Sequence, residues 1–331
     1  MSSLEALLAT KSALLADGAT GTNYFQMGLE SGDPPEMWNV DHPDRVAKLH
    51  QAFVDAGADI ILTNTFGCNK HRLKLHKLEG RVVELNQRAA EIACEVAGKA
   101  GRPIVVAGSV GPTGELFEPL GKLTHEDAVA AFTEQIEGLK TGGADVAWIE
   151  TMSAPEEMQA AMQAAQAVGL PYTCTASFDT AGRTMMGLDP SALGGVAEGL
   201  APIAMGSNCG VGASDLLVSV LAMTAADPSA IVIAKANCGI PQVRGDQVVY
   251  TGTPELMADY VHLAIDAGAR IVGGCCGTSP EHLAAMRKAM DAHTPGPRPD
   301  RATIEARIGK LASPPREATA GEARQRRRAR G

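Results

Sequence analysis

Residues 268–290 read Gly-Ala-Arg-Ile-Val-Gly-Gly-Cys-Cys-Gly-Thr-Ser-Pro-Glu-His-Leu-Ala-Ala-Met-Arg-Lys-Ala-Met. A short apolar run, Arg270–Gly274, ends in a turn of glycines and cysteines. Ser279-Pro-Glu then opens an amphipathic stretch, with a capping hydroxyl followed by proline in the first turn. Gly268 stands where the preceding helix must stop. This is one strand–turn–helix unit, and the same pattern recurs along the chain. The strand candidates are Leu14–Asp17, Asp59–Asn64, Pro103–Ser109, Asp145–Glu150, Pro171–Ser177, Ile203–Asn208, Ala230–Ala236 and Arg270–Gly274. Helical stretches follow at 43–56, 79–100, 124–142, 155–168, 189–200, 213–226, 253–267 and 279–291. Thr124 and Thr253 supply further start signals, and Gly57, Gly143 and Gly169 further stops. Eight such alternations predict an α/β fold, a (β/α)8 TIM barrel. The competing open, doubly wound sheet lacks its signature, because no Gly-x-Gly-x-x-Gly follows the first strand.

The barrel pattern covers residues 1–292 of the 331. Residues 293–331 are rich in Pro, Ala and Arg and poor in large apolar side chains. They are expected to be a disordered basic tail, with Thr303–Leu311 the one stretch able to form a short helix. Charge divides the same way. The tail holds ten basic and four acidic residues, whereas the rest holds 19 basic and 34 acidic. An acidic body argues against a nucleic-acid surface, and 4% aromatic content argues against a base-stacking platform. The N-terminus has no basic segment leading into an apolar core, and no apolar run reaches membrane-spanning length. Seven cysteines, an odd number, fit a reducing compartment. A cytoplasmic protein without membrane or nucleic-acid partners is therefore expected. The oligomeric state is not set by these features.

In a barrel of this kind, chemistry collects where strands end. The first strand runs into Asp17-Gly-Ala-Thr-Gly-Thr, the second into Thr63-Asn-Thr-Phe-Gly and the third into Gly108-Ser-Val-Gly-Pro-Thr-Gly. The fourth ends in Glu150-Thr151, the sixth in Asn208-Cys209-Gly210, the seventh in Asn237-Cys238-Gly239 and the eighth in Gly273-Gly-Cys275-Cys276-Gly-Thr. Three ends thus offer thiols to one mouth. Three thiolates leave a fourth tetrahedral position open, the mark of a catalytic zinc site. Neighbours on a regular strand point to opposite faces, so Cys275 and Cys276 can share a metal only if the backbone leaves the strand there. The flanking glycines permit that. Buried, unreactive cysteine is the alternative, and it is the reading for Cys68, Cys94 and Cys174. Asp17 and Glu150 are placed to hold a substrate ammonium, or else to pair with a protein cation. The glycine turns 18–21 and 111–114 can present N–H groups to an anion, or serve as tight turns. No histidine sits at a strand end.

These motifs, in this order from about residue 10 to 291, resemble the homocysteine S-methyltransferase family, most specifically at the two cysteine motifs. The resemblance implies a zinc-containing barrel that methylates L-homocysteine to methionine. It implies Zn²⁺ on Cys209, Cys275 and Cys276, with Asn237 able to fill the fourth position before substrate arrives. Asp17 and Glu150 match the positions that hold the amino group, and Ala19 and Thr20 match the backbone donors to the carboxylate. Asn64 falls within the matched second-strand motif and is carried as a substrate-binding candidate. Bacterial betaine–homocysteine methyltransferases imply a small onium donor of the betaine type. Two tyrosines of the animal betaine enzymes are replaced, however, by Gly67 and Thr151, and Trp38 is the remaining candidate for an aromatic face. Gly-Pro-Thr-Gly-Glu-Leu and Phe178-Asp-Thr-Ala-Gly-Arg are similar instead to the homocysteine module of cobalamin-dependent methionine synthase. That implies a stand-alone homocysteine subunit taking its methyl from a separate methyl-corrinoid protein. A non-catalytic zinc scaffold, or a thiol–disulfide protein using Cys275 and Cys276, is the reading from another class.

Overall fold

The computed structural model describes residues 2–244 and 247–313. Eight parallel strands form the barrel: β1 (Leu14–Leu15), β2 (Ile60–Leu62), β3 (Val105–Val110), β4 (Val146–Met152), β5 (Tyr172–Ala176), β6 (Met205–Cys209), β7 (Val232–Ala236) and β8 (Ala269–Gly274). Each pairs with its sequence neighbour, and β1 pairs with β8. The ring meets itself between β1 and β2. There Ala16 bridges Ile60, and the Asp59 N–H donates to the Leu15 carbonyl at 2.7 Å. The open-sheet alternative is thereby excluded.

The strands are short apolar runs because both faces are covered. Leu14, Ile60, Val105, Val146, Trp148, Ile233 and Ile271 share one apolar cluster. Their neighbours Leu15, Ile61, Val106, Ala147 and Val272 belong to another, made with the surrounding helices. This alternation separates the barrel interior from the outer layer.

The principal helices are α1 (Ser3–Thr10), α2 (Pro43–Asp55), α3 (Val82–Gly98), α4 (His125–Thr141), α5 (Pro155–Val168), α6 (Leu193–Val196), α7 (Ala213–Ala226), α8 (Pro254–Asp266), α9 (Pro280–Asp291) and α10 (Arg301–Ile308). The hydroxyls of Thr124, Thr253 and Ser279 cap α4, α8 and α9. The stretch 189–200 is shorter than its pattern predicts, a 3-10 turn and four residues of α6. Gly194, Gly195 and Gly199 account for this, since glycine is costly in a helix. α1 was not expected. Its Leu4, Leu7 and Leu8 join the interior cluster and close the barrel at the N-terminal ends of the strands. Also unexpected is an antiparallel hairpin between β7 and α8, pairing Pro241–Arg244 with Gln247–Tyr250.

The boundary at residue 292 requires correction. Residues 293–313 are ordered on the barrel. The Arg298 guanidinium donates to the carbonyls of Leu221, in the second half of α7, and Ala267, just after α8. α10 packs against both helices and buries Ile304 fully. The chain then reaches the mouth, where Asp215 accepts from the Ala312 and Ser313 N–H groups at 3.0 and 2.8 Å. The two isoleucines of α10, Arg298 and the hydrogen bonds of Gly296, Gly309, Ala312 and Ser313 hold a segment whose composition suggests disorder. The rest of the predicted tail, including Arg324–Arg330, lies outside the described residues.

Candidate metal and substrate site

β6 ends at Cys209 with φ +61°, a left-handed conformation that costs a non-glycine residue about 1–3 kcal/mol. Thr151, near the end of β4, has φ +62°. The two ends are tied together. The Thr151 N–H donates to Asn208 Oδ1 at 2.8 Å, Asn208 Nδ2 returns a bond to Thr151 Oγ1 at 2.7 Å, and the Thr175 hydroxyl donates to Asn208 Oδ1 at 2.6 Å. Asn208 is thus locked, and Cys209 follows it.

At β8 the backbone leaves the strand at the paired cysteines. The Cys275 N–H donates to the Ala236 carbonyl at 2.6 Å, and the Cys276 carbonyl accepts from the Cys238 N–H at 2.9 Å. Asn237 joins the two cysteine loops, accepting from the Cys276 N–H at 3.0 Å and donating to the Gly210 carbonyl at 2.6 Å. Both halves of its amide therefore brace the cysteines. The turn frees Cys275 and Cys276 from opposite faces, and the sulfurs of Cys209, Cys275 and Cys276 lie within 4.8 Å of one another. Tetrahedral zinc–thiolate geometry separates sulfurs by about 3.8 Å, so this donor set fits the ion with little movement. Hydrogen bonds from Cys209 and Cys275 push the Cys276 thiol down to about 3, while Cys275 is held up at about 11 and Cys209 is raised as well. The Tyr250 phenol, on the hairpin, also helps to hold the Cys276 thiol down. Cys238 stands outside the group, buried, its thiol pushed up to about 12.

Asp17 and Glu150 are both buried at the same mouth. Asp17 Oδ2 accepts the Leu62 N–H at 2.7 Å. Its Oδ1 is sealed from solvent and lies 3.2 Å from Lys235 Nζ, without a well-directed hydrogen bond. Burial pushes the Asp17 carboxyl up, with Lys235 opposing. Glu150 Oε1 accepts the Ser109 hydroxyl at 2.5 Å, and burial pushes the carboxyl up to about 7.

Other candidates are committed elsewhere. The Ala19 N–H donates to the Thr278 carbonyl at 3.0 Å, which leaves Thr20 and the following turn to offer N–H groups. Asn64 Nδ2 donates to the Pro35 carbonyl at 2.7 Å and holds the 35–39 segment. Trp38 is buried, with Tyr24 at 5.0 Å on one side and the Arg45 guanidinium over its ring, so no face is free for an onium ligand. The sequence reading missed Lys235. Its signal was a lone cation inside the apolar strand Ala230–Ala236, two residues from the inward-facing Ile233.

A closed β/α barrel with three convergent thiols beside buried carboxylates at its mouth defines a barrel enzyme with a cysteine cluster able to bind metal. The particular family follows from comparison. The pattern described as homocysteine S-methyltransferase matches residues 14–290, and the chain belongs to that family. It is 29% identical to a methionine synthase of Mycobacterium leprae over 304 residues, 85% of this chain and 25% of that protein. It is 30% identical to a methionine synthase of Mycobacterium tuberculosis over 295 residues, 84% of this chain and 24% of that protein. The chain thus spans about a quarter of these relatives' length. Among solved structures, the metallated homocysteine methyltransferase MmuM from Escherichia coli superposes with a TM-score of 0.73. Its sequence is 23% identical, and the match covers 86% of this chain and 99% of that one. The oxidised form gives 0.74 at 22% identity, over 87% and 99%. These likenesses establish the fold. Among the described residues, no helix is long and apolar enough to cross a membrane.

Proposed function

We propose that the protein is a zinc-dependent S-methyltransferase that moves a methyl group onto the sulfur of L-homocysteine and forms methionine. The observation that carries this reading is the cluster of Cys209, Cys275 and Cys276, three protein sulfurs that would hold a zinc ion and still leave it able to take a substrate sulfur. Zinc bound there supplies the chemistry that keeps a coordinated thiol ionised at neutral pH. The chain's own residues do the rest. Asn208, Asn237 and the two turns fix the three sulfurs. The acidic pair beside them supplies the negative charge for the amino group, and the Thr20 turn is open to the carboxylate. This fixes the substrate sulfur for in-line attack on the donor methyl, and orientation supplies much of the rate gain. The membership of an enzyme family speaks against a bare scaffold. Cytoplasmic location is part of the same proposal.

The donor divides into the two sequence readings. A small onium compound of the betaine type needs aromatic faces, and Trp38 is not free to give one. A second reading, a methyl-corrinoid protein, is favoured by the rim. Phe25, Phe66, Leu116, Leu120, Met185 and Ile240 are 41–71% exposed, and all lie in segments that leave the C-terminal ends of strands. Exposed apolar surface gathered at the mouth suits a protein partner more than a small solute.

The test measures zinc per chain and methionine formation in the protein and in Cys209→Ala, Cys275→Ala and Cys276→Ala. Betaine, S-methylmethionine, dimethylsulfoniopropionate and a methyl-corrinoid protein are supplied in turn. Each variant is expected to lose stoichiometric zinc and turnover together. Full activity in a zinc-free variant overturns the reading. Turnover with the corrinoid protein alone, or with an onium donor alone, decides the donor.

A further inference from the structure

Lys235 is the most unusual residue in the barrel. Its side chain is 3% exposed, inside a closed ring of parallel strands. A buried ammonium is costly unless it is paired and hydrogen-bonded. Here it donates to the Gly274 carbonyl at 2.6 Å and faces the Gly18 carbonyl at 3.4 Å and Asp17 Oδ1 at 3.2 Å. Room for its stem comes from Gly273, where a Cβ would lie 3.1 Å from Lys235 Cγ. One cation from β7 thus ties the end of β1 to the residue just before Cys275.

The two carboxylates of the mouth differ accordingly. Asp17 Oδ2 accepts the Leu62 N–H, and Oδ1, out of reach of solvent, has the Lys235 ammonium 3.2 Å away as its counter-ion without a directed hydrogen bond. Glu150 spends Oε1 on Ser109, while no hydrogen bond engages Oε2 among the described residues. Two carboxylates and one lysine leave a single negative charge, which one substrate ammonium neutralises.

We propose that Lys235 is a positioning residue that keeps Asp17 as its own counter-ion, so that Glu150 alone accepts the ammonium of the amino-acid substrate. This rests on the reading of the site as a homocysteine site, and it reassigns one of the two acids matched to the amino group. Lys235 has a second consequence. By holding Gly274, it sets the approach of the Cys275–Cys276 loop to the ammonium cradle.

The experiment measures L-homocysteine affinity by calorimetry on the zinc-loaded protein, with zinc content and melting temperature for each variant. Asp17→Asn and Lys235→Met each strand a buried charge, and both are expected to lower the melting temperature and weaken homocysteine binding. The double variant Asp17→Asn/Lys235→Met removes both charges and is expected to regain most of the affinity. Glu150→Gln, with Asp17 and Lys235 intact, is expected to lose about 10- to 100-fold in affinity, the range of a charge-assisted hydrogen bond. A double variant that holds zinc yet binds no better than Asp17→Asn shows that Asp17 contacts the substrate, and overturns the proposal. So does an unchanged affinity in Glu150→Gln, a measurement that stands even if the double variant does not fold. Failure of the unmutated zinc-loaded protein to bind homocysteine refutes the underlying reading instead.

Discussion

Glu150 is the residue whose environment makes the most specific prediction. Burial raises its carboxyl to about 7 from an ordinary value of 4.5. A raised acid contributes stability that is full below the ordinary value and lost as pH rises through the folded one. The substrate-free protein is therefore expected to lose melting temperature between about pH 4.5 and 7 by an amount that Glu150→Gln removes. Ligand binding has the opposite sign, because an ammonium needs the ionised carboxylate. Methionine, which brings no thiol proton of its own, is expected to bind more weakly as pH falls below about 7. A pH-independent methionine affinity in the unmutated protein disproves that role for Glu150. The candidate thiols and acids were legible in the sequence because they sit at strand ends, where side chains converge whatever the loops do. The bracing amides were less legible. Nothing in the string Asn208-Cys209-Gly210 says that its asparagine clasps Thr151 across two strands, since that bond depends on the register of the closed ring. Lys235 was hidden for a similar reason, because its counter-ion lies far away in sequence.

At the scale of elements, the strand and helix assignments were legible because each unit carries its own punctuation. The caps at Thr124, Thr253 and Ser279 and the left-handed glycines 57, 143, 169 and 268 are local signals, and the chain obeys them. α1 and the β7–α8 hairpin had no repeat to announce them. Close strand packing also sets a test. An added Cβ at Gly206 in β6 would lie 2.0 Å from the Ile233 carbonyl oxygen of β7. Backbone cannot yield as a flexible side chain does, so Gly206→Ala is expected to cost about 3 kcal/mol or more in urea denaturation. Gly98→Ala, where a Cβ meets nothing within 4 Å, is expected to leave stability unchanged or raise it by about 0.4–1 kcal/mol. Similar stability for the two variants contradicts the packing of β6 on β7.

For the whole molecule, composition misjudged where the folded body ends. Residues 293–313 contribute little apolar surface, but Ile304 is wholly buried and Arg298 donates to the carbonyls of Leu221 and Ala267. A chain ending at residue 292 is therefore expected to melt about 5 °C or more below one ending at residue 313. Equal melting temperatures exclude a stabilising role for α10. The leucines of α1 beneath the barrel carry a kinetic consequence. With the packed interior they seal the barrel beneath the mouth, so the site is reached from one side only. An amino acid held beneath a donor at that mouth departs only after the donor has gone. In the proposed reaction the order is then fixed, with homocysteine first in and methionine last out. Product-inhibition kinetics are expected to show methionine competing with homocysteine but not with the methyl donor, and a random order of release contradicts the one-door geometry.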